Sequence, residues 1–102
     1  MIIYLERSGG FAAIELRSVI DCDQLAEEER RTVESLVEEA HFFDLPAEIP
    51  LNGPGVDRFH YRLTIRHEGA SHTVETGEEG MPAELEALVQ EVTRLARRMR
   101  GR

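Results

Sequence analysis

The clearest pattern of hydrophobic and polar positions lies in residues 57–66, whose sequence is DRFHYRLTIR. Side chains alternate there with the period of two that is typical of a β-strand with one face in water. The apolar set is Phe59, Tyr61, Leu63 and Ile65, and the polar set is His60, Arg62, Thr64 and Arg66. Asp57 lies where a preceding loop rich in Pro and Gly becomes this strand. We therefore expect an exposed carboxylate held on a rigid scaffold.

The N-terminal half of the chain predicts a β-hairpin followed by a helix. Residues 1–6 and 11–16 have strand-like sequences, and the double glycine between them suits a hairpin loop. Residues 17–22 are expected to lead out of the sheet. Apolar residues then recur at helical spacing, which predicts a helix over residues 24–40 with Asp23 as its N-cap.

The C-terminal half predicts a loop, a second hairpin and a long helix. Residues 41–56 show no consistent period and contain three of the four prolines, and their Phe-Phe pair is expected to close the helix end onto the core. Residues 67–71 contain a turn signal, Glu68 and Gly69, and precede a short returning strand over residues 72–76. From Pro82 onward, apolar residues repeat at spacings of three and four, as in an amphipathic helix. The predicted fold is α+β, in the order ββαββα, with a four-stranded antiparallel sheet and both helices on one face.

Length and charge narrow the functional classes. With 102 residues, the chain is predicted to form a single domain, residues 1–102. Its 20 acidic residues against 12 basic ones give a net charge of −8, which argues against nucleic acid as a partner because phosphates would be repelled. The N-terminus lacks the features of a signal peptide and no apolar run approaches the length of a membrane span, so we expect a cytoplasmic protein without membrane contact.

Enzymatic and metal chemistry find little support in the sequence. Cys22 has no histidine near it in the chain, and Ser8 lacks the GxSxG context of a nucleophile, so we do not expect an enzyme. His60, His67 and His72 could form a small metal site, but no HxxxH or CxxC spacing supports one. Solvated polar side chains are the alternative explanation, and no cofactor is expected.

Two short loops carry the remaining candidate chemistry. The sequence ERSGGF at residues 6–11 places Phe11 directly after a double glycine, and NGPGVD at residues 52–57 ends in a carboxylate. An ordinary hairpin and an ordinary aspartate at the start of a strand remain alternative explanations for these loops.

Four motifs, in this order and at comparable distances, resemble the emfourin-like family. They are ERSGGFAAIEL, HFFDLP, DRFHYRLTI and HTV, and together they span most of the chain. The family consists of small bacterial protein inhibitors of protealysin-type, thermolysin-like zinc metalloproteases. The resemblance implies an inhibitor with two adjacent loops, one of which gives an aspartate to the protease zinc while the other places apolar side chains in substrate subsites. Asp57 is the implied zinc ligand, and Gly9, Gly10 and Phe11 form the implied apolar loop.

The residues expected to contact the protease are those of the two loops and the residues that flank them. This set is Arg7, Ser8, Gly9, Gly10, Phe11, Gly55, Val56, Asp57 and Arg58. The expected partner is a thermolysin-like metalloprotease, and the inhibitor is expected to be a monomer. A regulatory interaction module that uses the same loops on a different partner is the alternative.

This mechanism requires that the tip of the first hairpin and the start of the third strand share one end of the sheet. In an antiparallel sheet, strand orders 2-1-3-4 and 1-2-4-3 satisfy the requirement. Orders 1-2-3-4 and 2-1-4-3 separate the two features by about 20 Å for strands of about six residues. We predict order 2-1-3-4, because it makes the loops immediate neighbours.

Overall fold

The computed structural model describes residues 1–9, 14–49 and 59–100. Within these ranges, the strands are β1 (Ile2–Ser8), β2 (Ile14–Asp21), β3 (Glu48–Ile49), β4 (His60–His67) and β5 (Ala70–Gly77). The α-helices are α1 (Glu27–Glu39) and α2 (Ala83–Arg100), and short 3-10 helices at Cys22–Gln24 and Phe42–Asp44 flank α1. The described residues therefore form an α+β protein, which confirms the predicted class.

The strands form one mixed sheet in the order β2-β1-β4-β5-β3. The four long strands, in the order β2-β1-β4-β5, are antiparallel to their neighbours. This arrangement matches the predicted order 2-1-3-4 for four strands. The prediction of a four-stranded, purely antiparallel sheet is wrong, because β3 adds a fifth strand that runs parallel to β5, with Glu48 opposite Glu75. The Glu75 amide also donates to the Ala47 carbonyl at 2.8 Å. Prolines 46 and 50 leave room only for a short strand, which is why the loop shows no period.

One face of the sheet is buried and the other is open, and burial along β4 confirms the predicted alternation. The buried residues of β4 are Tyr61, Leu63 and Ile65, and its exposed residues include His60, Arg62 and Arg66. Leu5 of β1 and Val74 of β5 lie opposite Leu63 in the neighbouring strands. The core is therefore built from cross-strand rows of apolar side chains.

Both α-helices cover the buried face with their apolar stripes. The buried residues of α2 are Leu85, Leu88, Val89, Val92, Leu95 and Ala96. Those of α1 are Val33 and Val37. Glu29 near the start of α1 binds Arg98 near the end of α2 through two hydrogen bonds, so these two helix ends lie side by side. Burial of each large apolar side chain stabilises the fold by roughly 1.5 to 3 kcal/mol before entropy is counted.

Strand β2 is longer than predicted. Residues 17–22 are expected to leave the sheet, yet β2 continues as far as Asp21. Arg17 lies opposite Glu6 of β1, and Arg17 Nε is 3.2 Å from Glu6 Oε2. Ile20 is buried in the same segment. One ion pair and one core side chain thus help to hold these residues in the sheet, although polar residues make up half of the segment.

Helix α1 begins later than predicted, and Asp23 is not its N-cap. The Asp21 carboxylate accepts a hydrogen bond from the Asp23 amide at 3.0 Å and so caps the short 3-10 helix that precedes α1. Helix α1 begins at Glu27 without a side-chain cap. Acidic residues fill its first turn, where they complement the positive end of the helix dipole.

The hairpin between β4 and β5 turns through two residues, Glu68 and Gly69. Their φ angles are 50° and 83°, as in the turn type that best matches the twist of a two-residue hairpin. Glycine reaches this region without a clash at Cβ. The predicted turn signal is confirmed, and β5 begins at Ala70, two residues earlier than predicted.

Cys22 has a free thiol and is buried beside the core. Burial raises the pKa of this thiol, because the thiolate would lose its hydration. We expect Ellman's reagent to modify Cys22 at least about tenfold more slowly in the native protein than in urea-unfolded protein at the same pH. Equal labelling rates in the two states would show that the thiol is accessible and would contradict this expectation.

Candidate functional site

Strand β1 ends and β4 begins at the same end of the sheet, which we call the rim and define by Ser8, Phe59, His60 and Gly77. Ser8 lies opposite His60, and His60 lies opposite Gly77. Paired residues on neighbouring antiparallel strands are about 5 Å apart at Cα. The segment that follows Ser8 and the segment that precedes Phe59 therefore start side by side.

Most of the predicted protease-contacting residues lie outside the described part of the chain. They are Gly10, Phe11, Gly55, Val56, Asp57 and Arg58. Arg7, Ser8 and Gly9 lie within it, at the rim or next to it. The structure thus provides the attachment points of both loops, and the roles of the loop residues stay predictions.

The pairing of β1 with β2 changes register at the rim. Arg7 lies opposite Leu16, whereas Ser8 lies opposite Ile14, so β2 carries one additional residue there. A bulge of this kind bends the strand and increases its local twist. It therefore bends β2 beside the end of β1.

The start of β4 is held by two hydrogen bonds between Phe59 and Glu78. The Phe59 amide donates to Glu78 Oε1 at 3.4 Å, and the Phe59 carbonyl accepts from the Glu78 amide at 3.1 Å. Glu78 directly follows the end of β5. These bonds continue the ladder of β4 and β5 beyond the last strand pair, so the chain that leads to Asp57 has a fixed attachment point.

Arg7 is a charged residue on the helix-facing side of the sheet. Its neighbours in the same cross-strand row, Leu16 and Tyr61, are buried. Its guanidinium carbon lies 4.4 Å from the centre of the Phe59 ring, which is a cation-π contact. Its Nε is buried and has no hydrogen-bond partner within the described residues. Arg7 therefore supports Phe59 at the rim and keeps unused hydrogen-bonding capacity.

The open face of the sheet carries a row of charges that alternate in sign across the strands: Arg17, Glu6, Arg62 and Glu75. Arg62 lies between two carboxylates, with its Nη1 3.9 Å from Glu6 Oε1 and its Nη2 3.4 Å from Glu75 Oε2. His60 Nε2 is 3.3 Å from Glu75 Oε1. The hydrogen bond with His60, followed by the charge of Arg62, lowers the pKa of the Glu75 carboxyl against the opposing effect of its partial burial.

We expect Glu75→Gln to reduce folding stability at neutral pH and to have little effect in acid. The folded pKa of Glu75 lies below its ordinary value of 4.5, so its contribution is present above that value and is lost as the pH falls through the folded pKa. Because the pair is solvated, the loss at pH 7 should not exceed about 1 kcal/mol. Urea unfolding followed by circular dichroism at pH 7 and pH 3 measures the change. Glu38→Gln, an exposed site on α1, is the control, and a loss of equal size at both pH values would contradict the assignment.

The three histidines considered as metal ligands do not converge. His60 lies on the open face, whereas His72 lies opposite Ile65 and contacts the Leu45 carbonyl oxygen through Nε2 at 2.7 Å. Across residues 1–9, 14–49 and 59–100, there is no group of three His, Cys, Asp or Glu side chains that could hold a metal ion. A shared site of His60, His67 and His72 is therefore not supported in this part of the molecule.

The inward direction of Arg7 and the role of Glu78 were not part of the predicted site. The sequence could have revealed the direction of Arg7, because alternate residues of a strand face the same side. Arg7 follows Ile3 and Leu5 at this spacing, and both of these residues are buried. No local sequence pattern indicates the role of Glu78, because Glu78 contacts Phe59 only once the hairpin of β4 and β5 has formed.

The fold and the rim together define a small α+β protein in which two neighbouring segments leave one end of a sheet, an arrangement suited to binding another protein. A family model described as Emfourin matches residues 5–93. The chain belongs to the Emfourin family, which confirms the resemblance found in the sequence. This is an inhibitor family, and membership is consistent with a protein that is not an enzyme.

No match was found among the curated proteins or among the solved structures. None of the helices in the described part of the chain combines the length and apolar character needed to span a membrane.

Proposed function

We propose that this protein inhibits a thermolysin-like zinc metalloprotease of the protealysin type by placing two adjacent loops in its active-site cleft. The observation that carries the proposal is the pairing of Ser8 with His60, because it gives the two loops neighbouring attachment points on one rim. Membership of the Emfourin family supports the inhibitory activity.

Asp57 is the proposed ligand of the protease zinc. A catalytic zinc has three protein ligands and keeps one position for water or substrate. A carboxylate oxygen can replace that water at about 2.0 to 2.2 Å from the metal. Asp57 lies two residues before Phe59, whose backbone is held by Glu78, so the tether between the carboxylate and the sheet is short. In this mechanism the metal belongs to the protease and the ligand to the inhibitor.

The second loop is proposed to fill substrate subsites with Gly9, Gly10 and Phe11. Two glycines allow a close approach of the backbone to the protease, and the Phe11 side chain supplies apolar surface. The flanking residues Arg7, Ser8, Gly55, Val56 and Arg58 complete the proposed contact set.

Prior ordering of the rim favours tight binding. The bulge beside Ser8 and the two bonds between Phe59 and Glu78 restrict the loop ends before docking. Less conformational entropy is then lost on association, so more of the contact energy contributes to affinity.

The proposed setting is the cytoplasm of a bacterial cell, where a monomeric inhibitor would protect the producing cell or regulate release of the protease. The acidic composition, with its net charge of −8, suits a protein partner rather than a nucleic acid.

Titration of a protealysin-type protease with the purified protein tests this proposal. We expect stoichiometric loss of peptide hydrolysis and no effect on trypsin, which has no catalytic zinc. Failure to inhibit any thermolysin-like protease would overturn the proposal. It would favour a regulatory interaction module that acts on a different partner.

A further inference from the structure

A groove with a volume of about 360 Å³ lies between the rim end of β1 and helix α2. Arg7 and Tyr61 line it from the sheet, and Gln90, Thr93, Arg94 and Arg97 line it from the helix. These helical residues are spaced by three, one and three positions, which places them on one face of α2. The groove is therefore framed by two rigid elements and carries three arginines.

Two of these arginines are not neutralised within the described residues. Arg94 donates two hydrogen bonds to Glu91, at 3.1 and 2.6 Å. Arg7 and Arg97 form no ion pair with a described residue. The groove is thus a local cationic surface on a chain whose net charge is −8.

Two buried polar atoms in the groove residues lack hydrogen-bond partners. They are Arg7 Nε and Thr93 Oγ1, neither of which has a partner within the part of the chain that the structure describes. Both atoms can donate to an oxygen acceptor. Because buried polar groups are nearly always paired in proteins, these two atoms leave unused donor capacity beside the groove.

We propose that the groove binds a carboxylate side chain of the target protease, close to the active-site cleft. This inference rests on the proposed inhibitory function. A carboxylate presents two acceptor oxygens in the geometry that a guanidinium group matches. Arg7 stands next to Ser8 on the rim, so the groove begins beside the attachment point of the first loop. The interface therefore extends from the loops onto α2, and its positive charge orients an acidic surface of the partner.

Arg97→Glu and Arg66→Glu form a matched pair that tests the inference. Both substitutions change the net charge equally, but Arg66 lies on the open face opposite Ile2, about 20 Å from the rim along β4. Against a protealysin-type protease, we expect the inhibition constant to rise about tenfold or more for Arg97→Glu and by less than about twofold for Arg66→Glu. Increasing salt should slow association of the wild type more than that of Arg97→Glu. Arg7→Lys keeps the positive charge but loses the planar guanidinium group. It should therefore raise the inhibition constant by a smaller factor than Arg97→Glu does.

Three outcomes separate this inference from the proposed function. If the wild type inhibits and Arg97→Glu inhibits equally well, the groove proposal is overturned while the inhibitory function stands. Equal losses for Arg97→Glu and Arg66→Glu would assign the effect to net charge and would also overturn it. A wild type that inhibits no thermolysin-like protease overturns both. Urea unfolding checks the fold of each variant, and Arg97→Gln replaces Arg97→Glu if the latter does not fold.

Discussion

Asp57→Ala is expected to raise the inhibition constant against a protealysin-type protease by roughly 30-fold to several thousand-fold. Truncating one partner of a close, desolvated charge pair costs about 2 to 5 kcal/mol, and each 1.4 kcal/mol is about tenfold in affinity. Steady-state inhibition of peptide hydrolysis measures the change. Asp57→Asn keeps the shape but is a poorer zinc ligand, so an intermediate loss is expected. Asp23→Ala removes an exposed carboxylate outside the rim and should leave inhibition unchanged.

The zinc-free protease gives the stricter control for this variant. The affinities of wild type and Asp57→Ala can be measured by calorimetry with the zinc-bound and with the zinc-stripped protease. If Asp57 binds the metal directly, the difference between the two inhibitors should largely disappear with the zinc-stripped protease. An effect of the same size with and without zinc would contradict ligation and would leave Asp57 as an ordinary interface contact.

Phe42→Ala is expected to lower the free energy of unfolding by about 3 to 5 kcal/mol, because it opens a cavity in the core. Phe42 is only 1% exposed, and its ring lies 5.6 Å from the His72 ring in an edge-on arrangement. It joins the end of α1 to β5. Urea unfolding followed by far-UV circular dichroism measures the loss.

Phe43→Ala is the matched comparison for that variant. The Phe43 side chain is 37% exposed, so its removal should cost less than about 2 kcal/mol. Phe42→Leu retains most of the buried volume and keeps the comparison measurable if Phe42→Ala does not fold. Similar losses for Phe42→Ala and Phe43→Ala would show that Phe42 is not the residue that closes the core.

The central strand is the part of the fold that the sequence predicts best. The alternation in residues 57–66 predicts both β4 and its buried face, because a strand with one wet face leaves a strong signal of period two. Strand β3 leaves no such signal, since Glu48 and Ile49 are too few residues to show a period. Its pairing with β5 is a long-range contact that no local pattern contains.

The candidate site is less predictable from the sequence than the fold. The family resemblance supplies Asp57 and the glycine loop, but the pairing of Ser8 with His60 depends on strand order. That order is restricted only by the implied mechanism, which requires both loops to share one end of the sheet. The contact between Phe59 and Glu78 joins residues 19 positions apart, and it forms only once β5 has paired with β4.

The alternating charges on the open face also favour the register that aligns the attachment points of the two loops. A slip of one residue between β1 and β4 is excluded by the apolar pattern, because it would turn the core side chains toward water. A slip of two residues would keep those side chains inside, but it would separate Glu6 from Arg62. It would also displace one loop attachment point from the other by about 7 Å. Ion pairs that add little to overall stability thus favour the register that the proposed docking to a protease requires.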